Sequence, residues 1–161
     1  RRWGEAVAQG EEEGALPEWV EREGRRGGGA GGTAKADQGP PLPYRSYLSS
    51  GGLEIRVGRS SRTNDDLTFR HSSPNDIWLH ARSVPGSHVI LRWANPEGSP
   101  PARDLEEAAR LAAFHSKART SAIVPVDWTR RKYVRKPRGA PPGAVVPQRV
   151  RTLFVELEGA E

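Results

Sequence analysis

Residues 76–92 read DIWLHARSVPGSHVILR, two apolar segments on either side of a Pro85-Gly86 turn signal, with a histidine in each half. Alternate side chains of an extended chain share a face, so Ile77, Leu79 and Ala81 point one way while Trp78, His80 and Arg82 point the other. In the second segment Val89 and Leu91 take one side, and His88, Ile90 and Arg92 take the other. Antiparallel pairing with Leu79 opposite Val89 gathers the aliphatic residues on a single face; a slip of one residue would mix the two sets. The expectation is a hairpin with a packed back and a basic, aromatic front carrying Trp78, His80, His88 and Arg92.

Upstream, Leu53-Glu54-Ile55-Arg56-Val57 alternates apolar and charged residues between Gly51-Gly52 and Gly58, which predicts the strand that begins the fold. Residues 59–66 read as a polar turn, residues 67–69 (Leu-Thr-Phe) as a second strand, and residues 71–75 as another turn. Downstream of the hairpin, Asp104 with Glu107 three residues later resembles a capping box at the start of a helix. Leu105, Ala108, Ala109, Ala112 and Ser116 follow at helical spacing, and so many small residues on one stripe bring the helix axis close to a sheet. Lys117 and Arg119 suit its C-terminus. Residues 123–126, 132–134, 144–146 and 150–157 read as further short strands. The fold class is therefore α+β, a mainly antiparallel sheet of short strands with one long helix packed on it, preceded by a flexible N-terminal segment.

Residues 1–26 mix Trp3, Val7, Leu16, Trp19 and Val20 with many charges, and Pro17 interrupts any single long helix. They read as the partly helical tail of an upstream region. Residues 27–43 carry GGGAGG, Gly39-Pro40-Pro41 and Pro43, the composition of a linker with too little apolar surface to fold. Residues 44–161 form the expected domain. The chain opens on Arg1 and contains no methionine, which reads as the C-terminal piece of something longer.

Lys and Arg outnumber Asp and Glu by 25 to 20. Residues 1–43 hold six basic and eight acidic side chains, leaving 19 against 12, a net +7, for residues 44–161. A positive domain with Trp and Tyr among its charges favours nucleic acid over a lipid surface or an acidic small molecule. With no cysteine there are no disulfides or thiolate metal sites. No apolar run approaches the roughly 20 residues needed to span a bilayer.

The densest cationic tract is WTRRKYVRKPR, residues 128–138, with six basic side chains in the nine positions from Arg130 to Arg138. Phosphates would neutralise Arg130, Arg131, Lys132, Arg135, Lys136 and Arg138, and Tyr133 or Trp128 offers a stacking surface for an unpaired base. The competing structural reading is a solvated edge strand guarded by Lys and Arg against aggregation. Trp78, His80, Arg82, His88 and Arg92 on the hairpin front are secondary candidates for base or sugar contacts. Asp76, His80 and His88 raise the rival possibility of a metal-dependent nucleic-acid-processing site, yet a hydrolytic metal wants three protein ligands and no HExxH-like spacing occurs. His71 and His115 read as surface or half-buried residues. Ser87 and His88 are adjacent, so on a strand they face opposite sides and cannot form a nucleophile and base pair. Gly58, Gly86 and Gly139 are isolated, unlike a phosphate-cradling loop. These residues supply no catalytic set, no cofactor and no metal.

Five collinear blocks, GGLEIRVGRSSRTNDDLTF, NDIWLHARSVPGSHVILR, DLEEAARLAAFHSKAR, VPVDWTRRKYVRKP and TLFVE, together resemble the NFACT-R domain, the RNA-binding module of the NFACT family. The resemblance spans about residues 44–158. It implies a non-catalytic, cytoplasmic RNA-binding module whose partners are tRNA and large ribosomal subunit RNA, with a ribosomal protein as a further candidate, and with neither membrane nor small-molecule substrate. It also implies a parent protein that binds obstructed large subunits and supports C-terminal tailing of stalled chains. Nothing before residue 44 resembles the N-terminal domain of that family. A protein-interaction module docking on a ribosomal protein is the remaining alternative.

Overall fold

The structure, a computed structural model, describes residues 41–157. The expectations for residues 1–26 and for most of the 27–43 linker lie outside the described residues. Eight strands occur among the described residues: β1 (Tyr44–Leu48), β2 (Glu54–Gly58), β3 (Ile77–Ala81), β4 (Val89–Leu91), β5 (Ile123–Arg130), β6 (Val134–Arg135), β7 (Val146–Pro147) and β8 (Arg151–Glu156). Two helices, α1 (Ser61–Arg70) and α2 (Ala102–Phe114), interrupt them. A six-stranded antiparallel sheet has the order β1-β2-β4-β3-β5-β8, and β6 with β7 forms a small separate ribbon.

The central hairpin has the expected register: Leu79 is opposite Val89, Ile77 opposite Leu91 and Trp78 opposite Ile90. Its connection is wider than a tight Pro-Gly turn. Ser83 takes the left-handed conformation, with φ of 60°. The segment after it runs along the end of α2, where the Ser87 amide donates to the His115 carbonyl at 3.0 Å and the Lys117 amide donates to the Pro85 carbonyl at 2.9 Å. Gly86 is needed there because an added Cβ would sit 2.8 Å from the Ser116 Cβ.

On the back of the sheet, Ile55, Val57, Ile77, Leu79, Ala81, Val89, Leu91, Val124 and Val126 pack against α2. The alanine stripe of that helix is fully buried, as Ala108, Ala109 and Ala112 all reach 0 % exposure, so the helix lies close on the strands. Each fully buried Leu or Ile contributes on the order of 1.5–3 kcal/mol.

The front face corrects the sequence reading. The 59–66 turn and 67–69 strand are instead one helix, α1, opened by a capping box in which the Ser60 side chain and the Thr63 side chain each accept from the other's backbone amide. Asn64, Leu67 and Thr68 recur at helical spacing and are buried, a signal that the short Leu-Thr-Phe reading missed. With α1 present, there are two α-helices among the described residues where one was expected. Together with Val134 and Val145, Leu67 covers Tyr44, Trp78 and Ile90 in a second apolar cluster. Both faces of the hairpin are therefore interior.

Further differences have local causes. β1 precedes the strand expected to begin the fold; Tyr44 and Tyr47, three residues apart, enter the front and back clusters respectively, so no simple alternation marked it. Asp104 and Glu107 do not form a capping box. The helix begins at Ala102 without a side-chain cap, and the two carboxylates reach across to the β1–β2 turn. Glu107 accepts from the Ser50 amide at 2.7 Å and from its hydroxyl, and Asp104 accepts from the Gly51 amide at 2.9 Å. Residues 131–133 form a single 3-10 turn (Arg131–Tyr133) instead of a strand, and the strand expected at 144–146 is the two-residue β7. No helix among the described residues is long and apolar enough to cross a membrane.

Candidate nucleic-acid interface

The hairpin front was one of two candidate surfaces, and α1 closes it. His88 is fully buried. Its Nε2 lies 3.0 Å from the Gly143 carbonyl, which can only accept, so Nε2 carries the proton and Nδ1 accepts from the Thr68 hydroxyl at 2.9 Å. The ring is thus held neutral; burial, with smaller repulsion from His80, pushes its pKa down to about 3. Trp78 stacks on His80 and meets His88 edge-on, with centroids 5.9 and 5.4 Å apart. His80 is also pushed down, to about 4, chiefly by desolvation. Trp78 and His88 are packing residues of the interior and do not present themselves to a base.

Asp76, buried to 1 % exposure, is an anchor. Its carboxylate accepts from the Ser73 amide at 2.7 Å and the Trp93 amide at 2.8 Å, and pairs with Arg92 at 2.9 Å. Asp76 and His88 are therefore committed to other partners, and among the described residues no group of three His, Cys, Asp or Glu side chains is placed to hold a metal. Arg92 is occupied by Asp76; Arg82 remains exposed, 3.3 Å from Asp127.

The second surface, residues 130–138, divides in two. Arg130 donates to the carbonyls of Asn75 and Asn95, each at 2.8 Å, and to that of Gly98, stitching two loops. Arg131 donates to the Thr68 carbonyl at 2.5 Å and lies over the Phe69 ring at 4.8 Å; its pKa is lowered by partial burial. Lys136 pairs with Asp65 at 3.0 Å and donates to the Pro141 and Ala144 carbonyls, fastening the β6–β7 connection to α1. These three cations hold the fold together.

Lys132, Arg135 and Arg138 are exposed and, among the described residues, have no carboxylate partner. Lys132 lies in the 3-10 turn, Arg135 on β6 and Arg138 in the turn after it. Two residues absent from the sequence reading join them. Arg149 places its guanidinium 4.7 Å from the Tyr133 ring centroid, and Arg151 places its own 5.6 Å from that of Trp128, its cross-strand neighbour. Lys132 is 5.5 Å from the same Tyr133 ring. The Arg149-Val150-Arg151 alternation at the start of the last strand was the available signal. Five cations without counter-charges, interleaved with Tyr133 and Trp128, can neutralise phosphates and offer flat surfaces to bases.

This arrangement defines a small antiparallel α+β domain with a cationic, aromatic margin. Residues 44–147 match the family described as the NFACT protein RNA binding domain, and the chain belongs to that family. It is 44 % identical over 110 residues to the Rqc2 homolog RqcH of Bacillus subtilis (strain 168), covering 68 % of this chain and 19 % of that protein. It is 30 % identical over 83 residues to the human ribosome quality control complex subunit NEMF, covering 51 % of this chain and 8 % of that protein. Among solved structures, the C-terminal part of the fibronectin/fibrinogen-binding protein from Streptococcus suis superposes with a TM-score of 0.66 at 36 % identity, covering 76 % of this chain and 48 % of that one. The chain thus spans about a fifth of the length of its bacterial relatives.

Proposed function

We propose that this chain is a non-catalytic module that binds tRNA or ribosomal RNA within a ribosome quality control factor, and that the parent protein engages obstructed large subunits and supports C-terminal tailing of stalled chains. The observation that carries the reading is the set Lys132, Arg135, Arg138, Arg149 and Arg151, exposed on one 20-residue segment without carboxylate partners among the described residues. Such self-repelling charge is stabilised by a polyanion. Membership in the NFACT RNA-binding family and similarity to RqcH and NEMF support the choice of RNA and of the ribosome. The test is a titration of fluorescently labelled tRNA and of a large-subunit RNA fragment at several salt concentrations. Affinity falling linearly in log–log form with salt is expected; no binding to either RNA at low salt would refute the reading.

One observation favours an additional protein contact. Phe154 and Ile123, 63 % and 56 % exposed, lie on the β5–β8 margin, where Phe154 sits opposite Pro125. An apolar patch on an edge strand suits docking to a ribosomal protein. Crosslinking in lysate to protein from this face and to RNA from the cationic segment separates the two contacts.

A further inference from the structure

We propose that Arg149 and Tyr133 form a seat for one unpaired nucleotide, with the base stacked on the outer face of the Arg149 guanidinium and a flanking phosphate taken by Lys132. The inference rests on the RNA-binding reading and specifies single-stranded RNA as the preferred form. Arg149 lies in the left-handed region, with φ of 56°, a conformation that non-glycine residues rarely adopt. Its surroundings impose that conformation: the Thr129 hydroxyl shares its proton between the carbonyls of Gln148 and Arg149, at 2.8 and 3.2 Å, and the Gln148 amide donates to the Tyr133 carbonyl at 3.0 Å. Thr129 is itself buried, so the bend is fixed from inside the sheet. Strain held in place this way is characteristic of ligand clamps.

The consequence is a planar cation held over an aromatic ring, with its Cζ 4.7 Å from the centroid, before any ligand arrives. The exposed side of such a guanidinium accepts the π-face of any base, whereas the bases of a duplex are already stacked on one another. Lys132, 5.5 Å from the same ring centroid and on a flexible stem, supplies charge where a phosphate next to the stacked base would lie. Duplex RNA could use the charges but not the plane. The seat therefore predicts a preference for loops, bulges or free ends.

The test uses the whole chain with two probes of equal phosphate number: a single-stranded oligoribonucleotide containing 2-aminopurine, and a blunt duplex. The wild type is expected to bind the single strand more tightly and to quench 2-aminopurine fluorescence through stacking. Arg149→Lys keeps the charge and removes the plane. It should lower the ratio of single-strand to duplex affinity by about fivefold or more and abolish the quench. Tyr133→Ala should do the same by removing the support beneath the guanidinium; if that variant unfolds, Arg149→Lys alone decides. An unchanged ratio and an unchanged quench in Arg149→Lys overturn the seat. Failure of the wild type to bind either probe is a different result, because it overturns the RNA reading itself.

Discussion

The hairpin front and the 130–151 segment contain the same kinds of residue, aromatic rings interleaved with basic groups, yet the fold uses them in opposite ways. On the hairpin, His88 has a partner at each ring nitrogen, Arg92 has a buried carboxylate, and α1 excludes water. In the later segment, Lys132, Arg135, Arg138, Arg149 and Arg151 stay exposed without carboxylates among the described residues. Residue type therefore does not separate scaffold from interface; the disposition of hydrogen-bond partners does. A buried polar group is satisfied internally because leaving it unpaired costs more than the bond is worth.

The contrast breaks most readily at Asp76. Asp76→Ala leaves Arg92 and the Ser73 and Trp93 amides without their acceptor, and should cost about 3–5 kcal/mol of stability, read as a fall in the urea midpoint. RNA affinity of the fraction that remains folded should not change. If affinity fell and stability held, Asp76 would belong to the interface instead.

Acid should act next most strongly, through the buried histidines and not through the exposed cations. The folded pKa of His88, about 3, lies below its ordinary 6.5, so between those values the unfolded chain binds a proton that the folded chain does not. Stability is consequently lost as pH falls below 6.5, by up to about 1.4 kcal/mol per pH unit for each such histidine. His115, pushed down to about 4 by burial and then by Arg45 and Arg119, adds to the same slope. Urea titrations between pH 7 and pH 4.5 measure it. His88→Gln should flatten the slope, and a pH-independent midpoint would contradict the buried, neutral assignment.

Smaller losses are expected where the packing is tight. Ala109→Leu should destabilise by about 1–3 kcal/mol, because the fully buried position on α2 has no room for a branched side chain. Gly58→Ala should do the same, since its Cβ would collide with the Asn64 side chain. Thermal unfolding checks both. The smallest stability effects belong to the exposed cations: Lys132→Ala, Arg135→Ala and Arg138→Ala should each stay within about 0.5 kcal/mol of wild type while weakening RNA binding.

Much of this was legible in the chain. The alternation in residues 77–91 was enough to give the register of Leu79 against Val89, because sliding by one residue would have mixed the aliphatic set with Trp78 and the histidines. The alanine stripe gave α2 and its close approach to the sheet. What failed depended on contacts far apart in sequence. Asp104 and Glu107 read as a local cap until the β1–β2 turn, more than 50 residues earlier, supplied donors for them. α1 was missed because its buried positions include Asn64 and Thr68, polar residues that are interior only because they brace His88. In the cationic tract, the sequence showed the density of charge but not its division; Arg130, Arg131 and Lys136 turned inward to carbonyls and to Asp65 that only the tertiary fold brings near. Arg149 and Arg151 went unnoticed because each is defined by the ring beneath it, Tyr133 or Trp128.

The central claim is that the outward cations bind RNA and the inward ones do not, and the salt dependence of RNA affinity tests it most directly. Neutralising Lys132, Arg135, Arg138, Arg149 and Arg151 together should leave the unfolding midpoint near wild type. The slope of log affinity against log salt should then become shallower by about 0.7 for each phosphate of a single strand that the variant no longer neutralises. A slope that is unchanged in this variant, with the protein folded, would contradict the account.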